Sequence, residues 1–183
     1  MEKEKEWDKT ISIKFWYITG SAGNSASASQ DVGTTNDYTS TQGVKASTTG
    51  TVYGVYDMSG GSWEYVAAYV NNGNGNLTSY GSSLVNGDTK TKNMYSRASL
   101  DNYKNNYTQN KGVYGDTVYE TSMSGSGSTS WYEDYSEFPN KNYPFFTRGS
   151  YYNHSTYAGV FYFSFDSGQA SSLNSFRPVL LVL

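Results

Sequence analysis

The sequence predicts an α+β domain that is β-rich, with long loops and little helix. Short runs of β-branched and aromatic residues recur along the chain, which is the pattern of strands. Helical periodicity is nearly absent. Long tracts of Ser, Thr, Asn and Gly separate the runs and read as loops and turns. The chain has 183 residues, of which 36% are hydrophobic and 17% aromatic, with 19 tyrosines. That length fits one domain, and the aromatics supply a core despite the low apolar fraction, because each buries roughly 150–250 Å².

Taken in order, Glu2-Lys-Glu-Lys-Glu6 is a charge run that reads as a solvated start, so residues 1–10 are expected to be a flexible N-terminal segment. Residues 11–183 are expected to form the single domain. Ile11–Thr19 is β-branched and aromatic and predicts a strand. Gly20–Gly50 is polar with little to bury and predicts a meander of turns. Thr51–Tyr56 predicts a short strand or extended segment, and Asp57–Gly61 a turn. Ser62–Val70 fits two periods: Trp63 and Tyr65 alternate as in a strand, whereas Trp63, Val66, Ala67 and Val70 fit a helix face. The strand is preferred because Trp, Tyr and Val favour it.

From Asn71 to Gly112 the chain is polar, with Asn/Gly turns around a few apolar residues and room for a short helix over 95–107 capped by Ser99 or Asp101. Met123–Ser130 is a Gly/Ser loop. Three strand-like pieces follow, centred on Phe145–Arg148, Ala158–Phe163 and Phe176–Leu183.

Composition narrows the function classes. The net charge is −3 and no basic stripe offsets it, which argues against a nucleic-acid partner. There is no cysteine, so disulfides, thiolate metal sites and cysteine nucleophiles are excluded. The one histidine, His154, cannot build a multi-histidine metal site, and it sits in a Tyr/Asn/Ser-rich loop. No run of about 18 apolar residues predicts membrane insertion, and no signal-peptide core stands at the N-terminus, so export is expected to use another route or a leader outside this sequence.

Acid pairs are present, Asp57 with Glu64 and Glu133 with Asp134. Asp57 reads as a turn residue bonding its own backbone. Glu64, between Trp63 and Tyr65, reads as a partly buried acid held by Arg177 or Arg148. No cofactor is expected; oxygen ligands for a structural calcium would be Glu133, Asp134 or Asp166, but no spacing fixes such a site. Three Asn-x-Ser/Thr triplets, at Asn76, Asn106 and Asn153, are what chance supplies at this composition.

The C-terminal block interleaves a Gly/apolar framework with polar and aromatic positions. Those positions are the candidate ligand-binding residues: Tyr151, Tyr152, Asn153, His154, Thr156, Tyr157, Tyr162, Ser164, Phe165, Asp166, Gln169, Ser171, Ser172, Leu173 and Asn174. Tyr gives large amphipathic contact area at low entropy cost, while Ser and Asn give adaptable hydrogen bonds, which is the palette of a recognition surface.

Thr51–Val66, with Asp57-Met-Ser-Gly-Gly61-Ser-Trp63-Glu64, resembles the signature of the formylglycine-generating-enzyme branch of the C-type lectin fold. Arg148-Gly149-Ser150 and Phe176-Arg177-Pro178 resemble that family's C-terminal motifs. Further blocks at Ala46–Gly50, Tyr114–Ser122, Pro144–Gly149 and Ala158–Phe161 are similar to bacterial and prophage-borne lectin-fold proteins, among them the variable proteins of diversity-generating retroelements. The resemblance spans roughly residues 42–183 and implies a first strand–helix unit that is reduced or absent.

It also implies a structural framework of Asp57, Trp63, Glu64, Arg148, Phe176 and Arg177, with Trp63 and Phe176 as core anchors, and a variable ligand-binding region over 148–178. The catalytic relatives use cysteines or three histidines, which this chain lacks. The expected function is therefore non-catalytic: a receptor- or adhesin-type domain on a cell surface or virion, binding a protein or glycan. The alternatives are a structural surface, pilus or phage-tail subunit, and a degenerate formylglycine-generating-type oxidase.

Overall fold

The computed structural model describes residues 37–41, 43–56, 62–112, 135–151 and 162–178. Among these residues it shows an α+β fold around one mixed five-stranded sheet, with few and short helices. The strand read at Ile11–Thr19, the charged start and the turn at Asp57–Gly61 lie outside the described residues.

The strand reading of Ser62–Val70 holds, because β1 runs from Trp63 to Asn71. It is the centre of the sheet. β2 (Asn93–Ser96) and β5 (Asn174–Phe176) both pair with it in parallel, and β3 (Phe145–Arg148) pairs antiparallel. β4 (Phe163–Asp166) then adds antiparallel to β3, with Arg148 opposite Phe163 and Phe145 opposite Asp166.

Strand periodicity sorts the side chains onto two faces. Ala68 and Val70 of β1 enter one cluster with Tyr95, Tyr107, Phe138, Phe146 and Phe163. Tyr69, one residue out of phase, enters the other with Leu77 and Phe145. Aromatic edges fill the first cluster: Phe138 meets Phe146 at 5.0 Å between centroids and 89°, and Tyr95 meets Phe138 at 5.4 Å and 86°. These are the edge-to-face arrangements that ring quadrupoles favour.

The polar stretch 71–112 corrects the reading as turns around one short helix. It holds α1 (Gly75–Ser79), α2 (Ser82–Asn86), β2 and α3 (Tyr103–Asn110). Asn102, not Ser99 or Asp101, caps α3, its side chain accepting the Asn105 N–H at 2.9 Å. The helix was hard to see because its inward positions include Asn106 and Asn110 beside Tyr107, so no apolar stripe marks it. These asparagines act instead through hydrogen bonds. Asn110 accepts the Ser96 N–H at 2.8 Å and donates to the Ser96 carbonyl at 2.8 Å, fixing α3 against the end of β2.

A second set of asparagines stitches the β1–α1 turn to the segment before β3. Asn72, Asn74 and Asn76 donate their side-chain amides to the successive carbonyls of Asn140, Lys141 and Asn142, at 3.1, 2.5 and 3.1 Å. The alternation Asn-Gly-Asn-Gly-Asn that reads as a loose turn is thus a tertiary clamp.

The remaining differences are local. Thr51–Tyr56 forms bends rather than a strand, with only Tyr56 bridged to Ser47. The piece centred on Ala158–Phe163 is realised as β4, which starts at Phe163; residues 158–161 lie outside the described residues. The piece expected over Phe176–Leu183 is met only at Phe176, where β5 (from Asn174) ends; Arg177 and Pro178 are not in a strand, and residues 179–183 lie outside the described residues.

Candidate functional site

The interleaved C-terminal residues meet β1 on the face of the sheet that carries Tyr65 and Tyr69. In the register, Trp63 pairs with Asn174 and Tyr65 with Phe176. In parallel strands such partners project to the same side. Tyr65 donates its hydroxyl hydrogen to Asp166 Oδ1, and Asn174 Nδ2 donates to Tyr65 Oη at 3.1 Å. Asp166 Oδ1 also accepts the Gly168 N–H at 2.7 Å. The direction of this chain is forced: a carboxylate only accepts, so the single phenol hydrogen goes to Asp166 and the phenol oxygen faces an N–H of Asn174. The Asn174 Oδ1 is left buried without a partner.

Gly168 is required where it stands. Its φ is +90°, and a Cβ there would lie 2.6 Å from the Phe145 ring. A Cβ on Gly81 would meet the same ring at 2.4 Å from the other loop. The two glycines let the β4–β5 connection and the α1–α2 turn close on Phe145, and only glycine carries that φ without strain. Beyond them, Gln169 Nε2 donates to Tyr80 Oη at 3.1 Å, while Gln169, Ser171 and Ser172 are exposed. Leu173 is half-buried, and its carbonyl accepts the Trp63 N–H at 2.9 Å. The connection between β4 and β5 is therefore pinned at both ends and open in the middle.

A second group lies at the start of β1. Trp63 is half-buried rather than buried; its ring lies 4.3 Å from that of Tyr151, and its Nε1 donates to Tyr162 Oη at 3.3 Å. Tyr162 stacks on Tyr135 at 5.9 Å, and Tyr135 donates its hydroxyl hydrogen to Glu137. Glu64 is buried and accepts from Arg177 Nε, one of the two arginines expected to hold it; Arg148, the other, stands opposite Glu64 in the register.

Three expected placements are corrected. Tyr162 is 1% exposed and Ser164 8%, so both belong to the interior rather than to a ligand face. Tyr162 lies under Trp63 and Tyr135, and Ser164 stands opposite the buried Thr147 in the β3–β4 ladder. Phe176, expected as a core anchor, is 73% exposed. Its strand is three residues long and holds β1 through the backbone, while α1 and α2 cover the other end of that face, around Tyr69 and Phe145.

Phe165 is half-buried, with its ring 5.4 Å from that of Tyr103 and 5.1 Å from that of Tyr143. Tyr152, Asn153, His154, Thr156, Tyr157, Asp57, Glu133 and Asp134 lie outside the described residues. Tyr65 and Tyr80 were not singled out in the sequence. Tyr65 carried a signal, its place in the aromatic Trp63–Tyr65 alternation; Tyr80 carried none.

The cluster is a hydrogen-bonding array. Burial pushes the Tyr65 phenol well above its ordinary value, and the Asp166 carboxylate that accepts its hydrogen adds to the shift. Burial likewise raises Tyr135, helped by Glu137, and raises Tyr162. A group whose folded pKa is raised contributes stability that is fully present below its unfolded value, about 10 for tyrosine, and lost as pH rises through the folded value. An alkaline absorbance titration is therefore expected to show a late phenolate step that coincides with unfolding, and Tyr65→Phe should diminish it. A single step complete before unfolding would contradict the burial of these phenols.

Among the described residues no three His, Cys, Asp or Glu side chains come together as a metal site, and Asp166 Oδ1 is taken by Tyr65 and Gly168. Asn106 is fully buried in α3, which removes one Asn-x-Thr triplet as a glycan acceptor. Comparison with family models, with curated proteins and with solved structures returned no match for this chain.

Proposed function

We propose that this chain is a non-catalytic ligand-binding domain of C-type lectin fold, of receptor or adhesin type. In this reading it is displayed on a cell surface or virion, and its C-terminal region over 148–178 is a surface that tolerates diversification, as in retroelement variable proteins. The resemblance of its sequence blocks to that branch supports the fold assignment.

The observation that carries the function is the β4–β5 connection. Gln169, Ser171 and Ser172 are exposed, yet the strands on either side are paired to different partners, β4 to β3 and β5 to β1. A rigid base with an open polar rim lets side chains change while the backbone stays fixed. The ligand face accordingly centres on Gln169–Leu173 with Tyr80 and Tyr151, and excludes Tyr162 and Ser164.

The test compares the wild-type protein with the triple variant Gln169→Ala, Ser171→Ala, Ser172→Ala on a printed glycan array and on immobilised bacterial cells. Wild type should bind, and the variant should lose about tenfold or more in affinity, as for residues central to an interface. Its Tm should stay within about 2 °C, since exposed substitutions cost little. Equal binding by both proteins, no binding by wild type, or a large fall in Tm would overturn the reading.

A further inference from the structure

The edge of β1 opposite β3 is shared by two strands. β3 holds one edge at Glu64 and Tyr65, so β5, which pairs with Trp63–Tyr65, must hold the other. Further along that second edge β2 pairs with Ala68–Asn71. Both run parallel to β1, so the end of β5 faces the start of β2 across Val66 and Ala67, which neither strand pairs. The β1–β3 ladder is irregular at the same place, its register shifting between Tyr65 and Tyr69. The sheet is therefore split here, and a cleft of about 450 Å³ opens at the split.

Its floor is apolar and aromatic, from Val66, Ala67, Tyr95 and Phe146. Its charged residues are Lys90, Lys92 and Arg148, with no aspartate or glutamate among the described residues that line it. This is a local excess of cations in a chain of net charge −3. The three cations are held differently. Lys92 donates to the carbonyls of Leu84 and Val85, and the Arg148 guanidinium lies over the Phe163 ring at 5.4 Å, so both stems are fixed. Lys90 is exposed, and its ammonium has no partner among the described residues.

We propose that this cleft binds a small organic anion, a flat apolar body carrying one carboxylate, sulfonate or phosphate group. The apolar body lies against Val66 and Ala67, with the buried Tyr95 and Phe146 beneath them, and the anionic group faces Lys90 and Arg148. The volume falls in the range of small-molecule sites, and an apolar lining with a few convergent polar groups is their usual composition. The site lies on the split edge of β1, away from the β4–β5 connection, and stands independently of the binding face proposed above.

The probe is 8-anilinonaphthalene-1-sulfonate, compared with the uncharged N-phenyl-1-naphthylamine, both titrated into the folded full chain. The sulfonate should bind saturably and at least about tenfold more tightly than the neutral dye, and rising salt should weaken it as expected for a part-exposed charge contact. Lys90→Gln should weaken the sulfonate about three- to tenfold with Tm unchanged, since its side chain holds nothing else. Ala67→Phe, at an exposed position of the split, should block both dyes. Equal affinity for both dyes, no saturable binding by wild type, or indifference of the sulfonate to both variants would overturn the proposal. Lys90→Gln keeps the test decisive even if Ala67→Phe fails to fold.

Discussion

Phe163→Ala is expected to lower the unfolding free energy by about 3–5 kcal/mol, the range for truncating a fully buried phenylalanine. The side chain has no exposed surface and belongs to the cluster joining β1, β2, β3, β4 and α3. Its ring meets Phe146 at 6.2 Å and supports the Arg148 guanidinium. Truncation removes the apolar transfer term and leaves a cavity between elements too constrained to collapse into it. Phe176→Ala provides the contrast. At 73% exposure it should change stability by no more than about 0.5 kcal/mol, although by motif it reads as the anchor of the pair. Urea denaturation of both variants checks the ordering, and a larger loss for Phe176 than for Phe163 would refute the packing described.

The second large effect is expected from a polar residue. Asn106→Leu should cost about 3 kcal/mol, even though leucine has the same branching and number of side-chain heavy atoms and is better suited to a buried helix face. Asn106 is fully buried. Its Oδ1 accepts the Ala98 N–H at 2.8 Å, and its Nδ2 donates to Asp101 Oδ1 at 2.6 Å and to the Pro139 carbonyl at 3.0 Å. Leucine satisfies none of these groups, and each buried polar atom left unpaired costs about 1–3 kcal/mol, partly offset by the apolar gain. Asp101 keeps a contact with Arg97 at 3.7 Å, which limits its share of the loss. A midpoint shift worth less than about 1 kcal/mol would mean that these bonds are replaced by water in the folded state.

Both predictions show where the fold was legible. β1 and β3 could be read because their residue types are those of strands: Trp63, Tyr65, Val66 and Val70 in one, Phe145 and Phe146 in the other. The Glu64–Arg177 contact could be anticipated because a carboxylate between two aromatics needs a cationic partner once it is buried. Of the helices only α3 was foreshadowed, by the room for a short helix over 95–107. α1 buries only Leu77, α2 buries no residue fully, and α3 buries Asn106, Tyr107 and Asn110, so none of them carries a helical stripe. Distant hydrogen bonds tie down α1 and α3, such as Asn74 to Lys141 and Asn106 to Pro139, while Leu84 and Val85 of α2 pack against the Tyr69 cluster.

The candidate site divides along the same line. Gln169, Ser171 and Ser172 were identified by composition, because short polar side chains at such positions belong on surfaces. Tyr162, Ser164 and Phe176 were misplaced because tyrosine, serine and phenylalanine each occur on either side of a boundary. The side they take depends on which strand pairs with which, and how far.

By itself the sequence determined the β-rich α+β class, the location of the central strand, the lack of cysteine chemistry and the polar-aromatic character of the C-terminal block. These follow from residue type and short-range periodicity, which are local properties. Only the tertiary structure decided that Tyr65, Asp166 and Asn174 form one hydrogen-bonded chain, that asparagines replace an apolar helix face, and that β5 and β2 leave a split along β1. Those outcomes depend on contacts across 8 positions for Ala98 and Asn106 and across 109 for Tyr65 and Asn174, and most of them on strand pairing and register. A one-residue slip in such a ladder sends every side chain to the opposite face, so no reading of residue types along the chain could have assigned them.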